Sequence, residues 1–349
     1  MIVAAEPAFR TRHANPYNAL LYDAVSARGP EVREYSPRDL VARRPDIVHL
    51  HWPELTFLSS HRGWQSAARL IVFEALIAAA RRRGTRLVWT VHNDGAHEPR
   101  DPRLHRRLER MLARQLDGVF TLSDAGAEAF RSRFGTEVPV FHTPHGHYRA
   151  AYPLTADRHA ARAELGVESE PTLVLAVGQV RAYKNLPALI SAARELDDPN
   201  LRVAVAGDPD GAGSEAALLA AAGGDPRVLL DLVLLDDARL GAWLRGADIV
   251  VLPYRRILNS GAAMLALSAG RPVVVPAVGA MPELAAIVGA DWVRLYEGEF
   301  TAATLRSALE WLRGVPREAE PDLSALEWGG IADATVAAYL RLLDTPSRR

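Results

Sequence analysis

Short runs of β-branched and aliphatic residues alternate with longer stretches rich in alanine, leucine and arginine along the whole chain. Apolar runs bounded by polar turns predict strands buried on both faces, and the 3.6-residue periodicity between them predicts the helices that cover them. In the first half the strands fall at Ile2–Ala5, Asp46–Leu50, Arg86–Val91, Gly118–Leu122 and Val138–His142. Helices are expected near Tyr17–Arg28, Gln65–Arg83, Leu104–Gln115 and Asp124–Phe134. In the second half the strands are Thr172–Val177, Leu201–Ala206, Asp248–Leu252 and Pro272–Val275, with two further candidates at Arg227–Leu230 and Trp292–Leu295. Helices near Asn185–Leu196, Gly213–Ala222, Ala238–Arg245, Gly261–Ala269 and Thr301–Leu312 separate them. This alternation predicts an α/β chain of two doubly wound domains in series.

Periodicity lapses in Thr143–Pro153, rich in proline, glycine and aromatics, which places the join there. The expected division is an N-terminal domain over 1–150, a second domain over 151–325 and a terminal segment over 326–349 with a helical pattern from Ile331 to Leu343.

At 349 residues, 49% hydrophobic and 24% charged, the chain can bury two full cores. It has no cysteine, which removes disulfides and thiolate metal sites. Its N-terminus lacks a signal pattern and no run reaches the ~18 apolar residues of a membrane span, so a cytoplasmic protein is expected. A net charge of −1 argues against a dedicated nucleic-acid binder, but the charge is uneven: +6 through Arg149 and −7 beyond it. Arg81–Arg83, Arg100, Arg103, Arg106, Arg107, Arg110 and Arg114 supply much of the excess. Solvated helix faces account for such a cluster; an anionic membrane surface or an acidic acceptor beside the N-terminal half would account for it too.

Forty of the 41 basic residues are arginine, and the one lysine, Lys184, falls in the strand-to-helix turn Gly178–Asn185 with Arg181. A compact ammonium and a planar guanidinium three residues apart at such a turn suit an anionic ligand such as a diphosphate. A second turn, Leu252–Met264, ends a strand and opens a helix. Asn259 or Ser260 can cap that helix, and Gly261 and Ala262 leave its first amides open to an anion. His92, directly after a strand, has the chemistry to shuttle a proton or bind a substrate hydroxyl. His49, His51 and Glu54 crowd another strand end; too few ligands at known spacing accompany them to make a metal site, and Glu54 is better read as a carboxylate base. The first turn, Glu6–Tyr17, suits either an acceptor-facing loop or plain surface.

Several of these pieces occur in a family order. Gly178, Arg181, Lys184-Asn185-Leu186, Ala204-Val-Ala-Gly207, Leu244–Pro253, Leu267–Pro276 and Gly279-Ala-Met-Pro-Glu283 together resemble the C-terminal domain of GT-B glycosyltransferases of family 4. Val88–His92, Pro144-His-Gly146 and Glu327–Tyr339 resemble the N-terminal and terminal segments of the same enzymes. The resemblance implies two Rossmann-like domains facing a cleft, with a terminal crossover helix returning to the first. It implies a nucleotide-diphosphate sugar, GDP-mannose or a UDP-sugar, held by Gly178, Arg181, Lys184, Asn259, Ser260, Gly261, Ala262 and Glu283. His92 would meet the sugar, and neither a metal nor a further cofactor would be needed. The partner would be a sugar or lipid-linked acceptor, with peripheral contact at the inner face of the membrane through the basic domain.

Enzymes of the family usually carry two glutamates at the positions that Ile257 and Leu265 occupy here, one of them holding the nucleotide ribose, so the resemblance implies that ribose recognition is arranged differently in this chain. The Asn-Ser-Gly turn resembles bacterial exopolysaccharide glycosyltransferases, including β-mannosyltransferase-like groups. If the reaction inverts, it needs a base, for which Glu54, Asp94 and Glu98 are candidates. The expected activity is hexosyl transfer in cell-surface polysaccharide or glycolipid assembly. The alternatives are a nucleotide-sugar 2-epimerase of the same fold and a catalytically silent nucleotide-sugar binder.

Overall fold

The computed structural model describes residues 1–59, 63–93, 101–135, 137–154, 157–315 and 320–346. The chain forms two compact units, one of residues 1–146 with 326–349 and the other of residues 147–325.

In the first unit the strands are β1 (Ile2–Glu6), β2 (Glu31–Glu34), β3 (Ile47–Leu50), β4 (Arg86–Val91), β5 (Gly118–Thr121) and β6 (Val140–His142), all parallel, in the order β2-β1-β3-β4-β5-β6. Strand β2 escapes sequence reading because Glu-Val-Arg-Glu has one apolar residue. It is an edge strand, and charged side chains are what an exposed edge tolerates. The last helix, Trp328–Asp344, belongs to this unit and packs on the helix Tyr17–Ser26. Its approach is close: a Cβ at Gly146 would lie 2.4 Å from the Trp328 ring, and one at Gly118 would lie 2.9 Å from Leu342.

The second unit contains β7 (Thr172–Val177), β8 (Leu201–Ala206), β9 (Val228–Asp231), β10 (Ile249–Val251), β11 (Val273–Pro276) and β12 (Val293–Tyr296) in the order β12-β11-β10-β7-β8-β9. This is the dinucleotide-fold order, whereas the first unit has the flavodoxin order with an extra edge strand. The two orders reverse between β1 and β3 in one sheet and between β7 and β10 in the other, and ligands of open parallel sheets gather beyond the carboxyl ends at such points. Short helices at Pro37–Ala42, Pro53–Phe57, Arg158–Leu165 and Met281–Val288 complete the connections, and none exceeds eight residues, too short a span for a helical period to stand out.

One device recurs in both sheets. Asp46, Asp117 and Asp248 each immediately precede a central strand and accept the amide of a residue on the neighbouring strand: Ile2 at 2.7 Å, Leu87 at 2.9 Å and Leu173 at 2.8 Å. Each carboxylate fixes the register at the amino end of its strand, where a slip of one residue would turn the buried side chains outward. Asp248 also takes the guanidinium of Arg162, which is fully buried, at 2.7 Å, and that of Arg158 at 2.9 Å. Burial alone would raise the Asp248 pKa, but these arginines and the Leu173 amide hold it below the usual carboxylate value.

Candidate active site

At the reversal point of the second sheet, the turn after β7 and the turn after β10 are bound to each other. The Arg255 amide donates to the Tyr183 carbonyl at 3.0 Å, and the Tyr183 and Tyr254 rings meet edge-on at 6.0 Å. Gly178 leaves β7 at φ 98°, and Gly207 packs so tightly on it that a Cβ there would lie 2.4 Å from the Gly178 carbonyl oxygen. The chain then winds through a single 3₁₀ turn, Ala182–Lys184, closed by Asn185 at φ 55°.

This path turns the Lys184 side chain inward. The residue is 8% exposed, and among the described residues it makes no ion pair. Its Nζ lies 5.7 Å from the Tyr254 ring centroid, and a Cβ at Gly178 would come within 3.4 Å of it. Burial, and then the neighbouring Arg181 charge, push its pKa down to about 8. A cation kept this dry without a counter-ion favours an arriving anion. Arg181 itself is exposed, with its guanidinium on Gln179 Oε1 at 3.0 Å.

Across the turn, Ser260 is the cap: its hydroxyl accepts from the Ala263 amide at 3.1 Å, and the Gly261 and Ala262 amides open the helix Gly261–Ser268. Asn259 precedes it in a loop whose Leu258 carbonyl accepts from the Ala280 amide at 2.8 Å. Gly279 permits that approach at φ 58°, since a Cβ would lie 2.2 Å from the Ile257 carbonyl. Glu283 stands in the first turn of the next helix, half-buried. Leu265 is buried in its helix. A cavity of about 230 Å³ opens beside this turn, lined by Asn185, Tyr254, Arg255, Tyr296, Glu297 and Glu299. Tyr254, which floors the lysine site, carries no sequence signal: it reads as one more aromatic after a strand.

The first unit gathers its candidates at the carboxyl ends of β3 and β4. His92 is buried, its ring stacked on Trp52 at 4.1 Å between centroids and met edge-on by Tyr17 at 5.0 Å. His51 Nδ1 lies 2.9 Å from His92 Nε2, and the His49 and His51 rings stack at 4.5 Å. Burial lowers the pKa of all three, His49 to about 3, so they are neutral imidazoles near pH 7. Among the described residues, no group of three potential ligands is arranged to hold a metal ion.

Glu54 lies on the helix Pro53–Phe57, half-buried in a recess of about 30 Å³ lined also by Trp52, Trp89, His92, Glu109 and Phe134. The recess holds about one water, so in this state it presents a surface and does not enclose a sugar. Burial raises the Glu54 pKa, against a weaker lowering by its own backbone amide and by Arg133. Asp94 and Glu98 lie outside the described residues. The first turn is braced internally: Glu34 accepts from the amides of Ala8 at 3.0 Å and Phe9 at 2.9 Å, and buried Glu6 takes the Thr56 hydroxyl at 2.7 Å.

The sequence matches two family models, the glycosyl transferase 4-like domain over residues 5–137 and the glycosyl transferases group 1 over residues 171–307. A GDP-mannose:glycolipid 4-beta-D-mannosyltransferase of Xanthomonas campestris pv. campestris is 33% identical over 335 residues, covering 95% of this chain and 89% of its own. The chain belongs to the group 1 glycosyltransferases. Solved structures similar to this glycosyltransferase include the sucrose-phosphate synthase of Thermosynechococcus elongatus, with a TM-score of 0.71 at 18% identity over 98% of this chain and 99% of that one. Anabaena HepE in complex with UDP-glucose has a TM-score of 0.63 at 16% identity, over 98% and 97% of the two chains. At these identities the likeness is one of fold, and the fold is GT-B. The group 1 match spans both turns of the lysine site, and the 4-like match spans His92 and Glu54.

Proposed function

We propose that this glycosyltransferase moves mannose from GDP-mannose to a glycolipid with inversion at the anomeric carbon. The Xanthomonas relative supports the donor and acceptor class. GDP-mannose is α-linked and that relative forms a β-mannoside, which is an inversion. The observation that carries the donor half is Lys184, a buried ammonium without an ion pair among the described residues, at the sheet's reversal point.

Lys184 and Arg181 take the diphosphate, and the Gly261 and Ala262 amides add donors at a helix N-terminus. These groups stabilise the charge that develops on the departing GDP, so no metal is required of the site. Inversion needs a base on the acceptor hydroxyl. Glu54 suits this role, since a carboxylate whose pKa is raised by burial binds a proton more strongly than one in water. His92, neutral and held edge and face by Tyr17 and Trp52, meets the transferred sugar.

The acceptor class also gives meaning to one surface. Along the helix Gly63–Arg81, Trp64, Ala68, Ile71, Val72 and Ala75 are exposed at helical spacing, with Trp64 at 68%. The adjoining helix Pro102–Gln115 exposes Arg103, Arg106, Arg110 and Arg114, and Arg107 joins the two helices through Glu74 at 2.9 Å. An apolar stripe beside an arginine stripe suits peripheral seating on an anionic bilayer at its inner face. No helix among the described residues is long and apolar enough to cross a membrane.

The test is transfer from radiolabelled GDP-mannose to a lipid-extracted glycolipid pool, with and without EDTA, and with UDP-sugars in competition. Acceptor-dependent β-mannoside formation that survives EDTA is expected. A modified nucleotide sugar released without acceptor would instead favour the epimerase reading. Donor binding without turnover would favour a silent binder.

A further inference from the structure

Six buried side chains of the first unit, drawn from four elements, join end to end. Thr90 Oγ1 lies 2.7 Å from His49 Nε2, and His49 Nδ1 lies 2.5 Å from the Tyr339 hydroxyl. The hydroxyls of Tyr339 and Tyr22 are hydrogen-bonded to each other. Tyr22 then reaches His51 Nε2 at 2.6 Å, and His51 Nδ1 reaches His92 Nε2 at 2.9 Å. Thr90, His49, Tyr339, Tyr22, His51 and His92 are all at most 8% exposed.

Proton counting constrains such a chain. A neutral imidazole has one N–H and one lone pair, and a phenol has one O–H. Every link needs one donor, so the sense of one link dictates the next. If His51 donates through Nδ1, His92 accepts at Nε2 and carries its own proton on Nδ1. His51 Nε2 is then bare and accepts from Tyr22, which accepts from Tyr339, which accepts from His49 Nδ1. With the opposite sense, all three histidines carry their protons on Nε2. Mixed tautomers would leave two donors or two lone pairs facing each other in a dry interior, at the cost of an unmade buried hydrogen bond.

We infer that Tyr22, His51 and Tyr339 are positioning residues that set the tautomer of His92, and thereby the protonation pattern that ring brings to the transferred sugar. The functional half rests on the proposed sugar contact of His92. The ring cannot satisfy both patterns by turning over, because Trp52 covers its face and Tyr17 abuts it. Tyr339 lies on the terminal helix, so the last element of the chain completes a device that ends 247 residues earlier.

Long-range ¹⁵N–¹H imidazole spectra of the ligand-free protein test the chain without reference to turnover. His49, His51 and His92 are expected to share one tautomer, all Nε2–H or all Nδ1–H; a mixed set would overturn the inference. Tyr22→Phe is expected to lower kcat by roughly tenfold or more, the scale on which a metal-bound histidine responds to loss of the partner that fixes its tautomer, with KM for the donor little changed and the shared tautomer lost. Tyr339→Phe provides a second break should that variant fail to fold. Tyr35→Phe, which removes a phenol outside the chain, is expected to keep normal turnover. Normal kcat and unchanged spectra in folded Tyr22→Phe would sink the positioning role while leaving His92 itself in place. Normal turnover in His92→Ala would remove the sugar contact, and with it the chain's catalytic purpose, whatever the spectra show.

Discussion

The Lys184 ammonium lies 5.7 Å from the ring centroid of Tyr254, over the face that β10 delivers from the opposite side of the sheet's reversal point. The aromatic face accommodates a cation but offers it no hydrogen bond, so the site is attractive to charge and incomplete without an anion. Holding this lysine protonated in the folded protein costs about 3 kcal/mol, the equivalent of its fall from 10.5 to about 8. A diphosphate offsets that cost on binding.

Lys184→Ala is therefore expected to weaken nucleoside-diphosphate binding by ~1.5–3 kcal/mol, the range of a charge-assisted contact. Isothermal titration with GDP reads it, with thermal melting as the check on folding. Unchanged affinity in a folded variant would remove the phosphate role.

The lowered Lys184 pKa has two pH signatures of opposite direction. Its folded value of about 8 lies below its unfolded value near 10.5, so between them the unfolded chain binds the extra proton, and this group's contribution makes stability rise with pH across that window. Diphosphate affinity runs the other way, falling as pH climbs through about 8 and the free enzyme loses the charge. Titrations at pH 7 and pH 9.5 on wild type and Lys184→Ala should show the fall in wild type alone.

Glu54→Gln keeps the shape of the recess and removes the base. Turnover is expected to drop ~10²–10⁴-fold, with GDP affinity unaltered, because the proposed base acts on the acceptor hydroxyl and the diphosphate contacts come from the lysine turn of the other unit. Retained turnover would transfer the base role elsewhere and reopen the question of inversion.

Asp248→Ala addresses the fold. It leaves the fully buried Arg162 without its carboxylate and frees the Leu173 amide. A loss of ~3–5 kcal/mol is expected in denaturant unfolding, the range for breaking a buried pair from one side. Asp248→Asn should recover part of it, since an amide oxygen still accepts from Leu173.

Much of this architecture is legible in the chain. The four inner strands of the second unit are marked by apolar runs, because a strand buried on both faces is largely apolar, whereas the edge strands β9 and β12 carry Asp231 and Arg294 and are marked less sharply. The lysine turn is marked by composition, and the helix cap by Asn259-Ser260-Gly261. Strand β2 and the helix Arg158–Leu165 are not, since both are polar segments whose place is fixed by partners: β1 for one, Asp157 and the Asp248 network for the other.

Local sequence thus determined the order of strands and helices, the α/β class and the residue types at each strand end, because propensity, periodicity and turn chemistry act over a few positions. Only the tertiary structure decided which of those ends meet. It seated Lys184 over Tyr254, set three aspartates as register pins and ran hydrogen bonds from Thr90 to His92 through a tyrosine on the last helix. Those pairings depend on strand order and on burial. They arise where chain segments far apart in sequence share a dry interior and every polar atom there must find a partner.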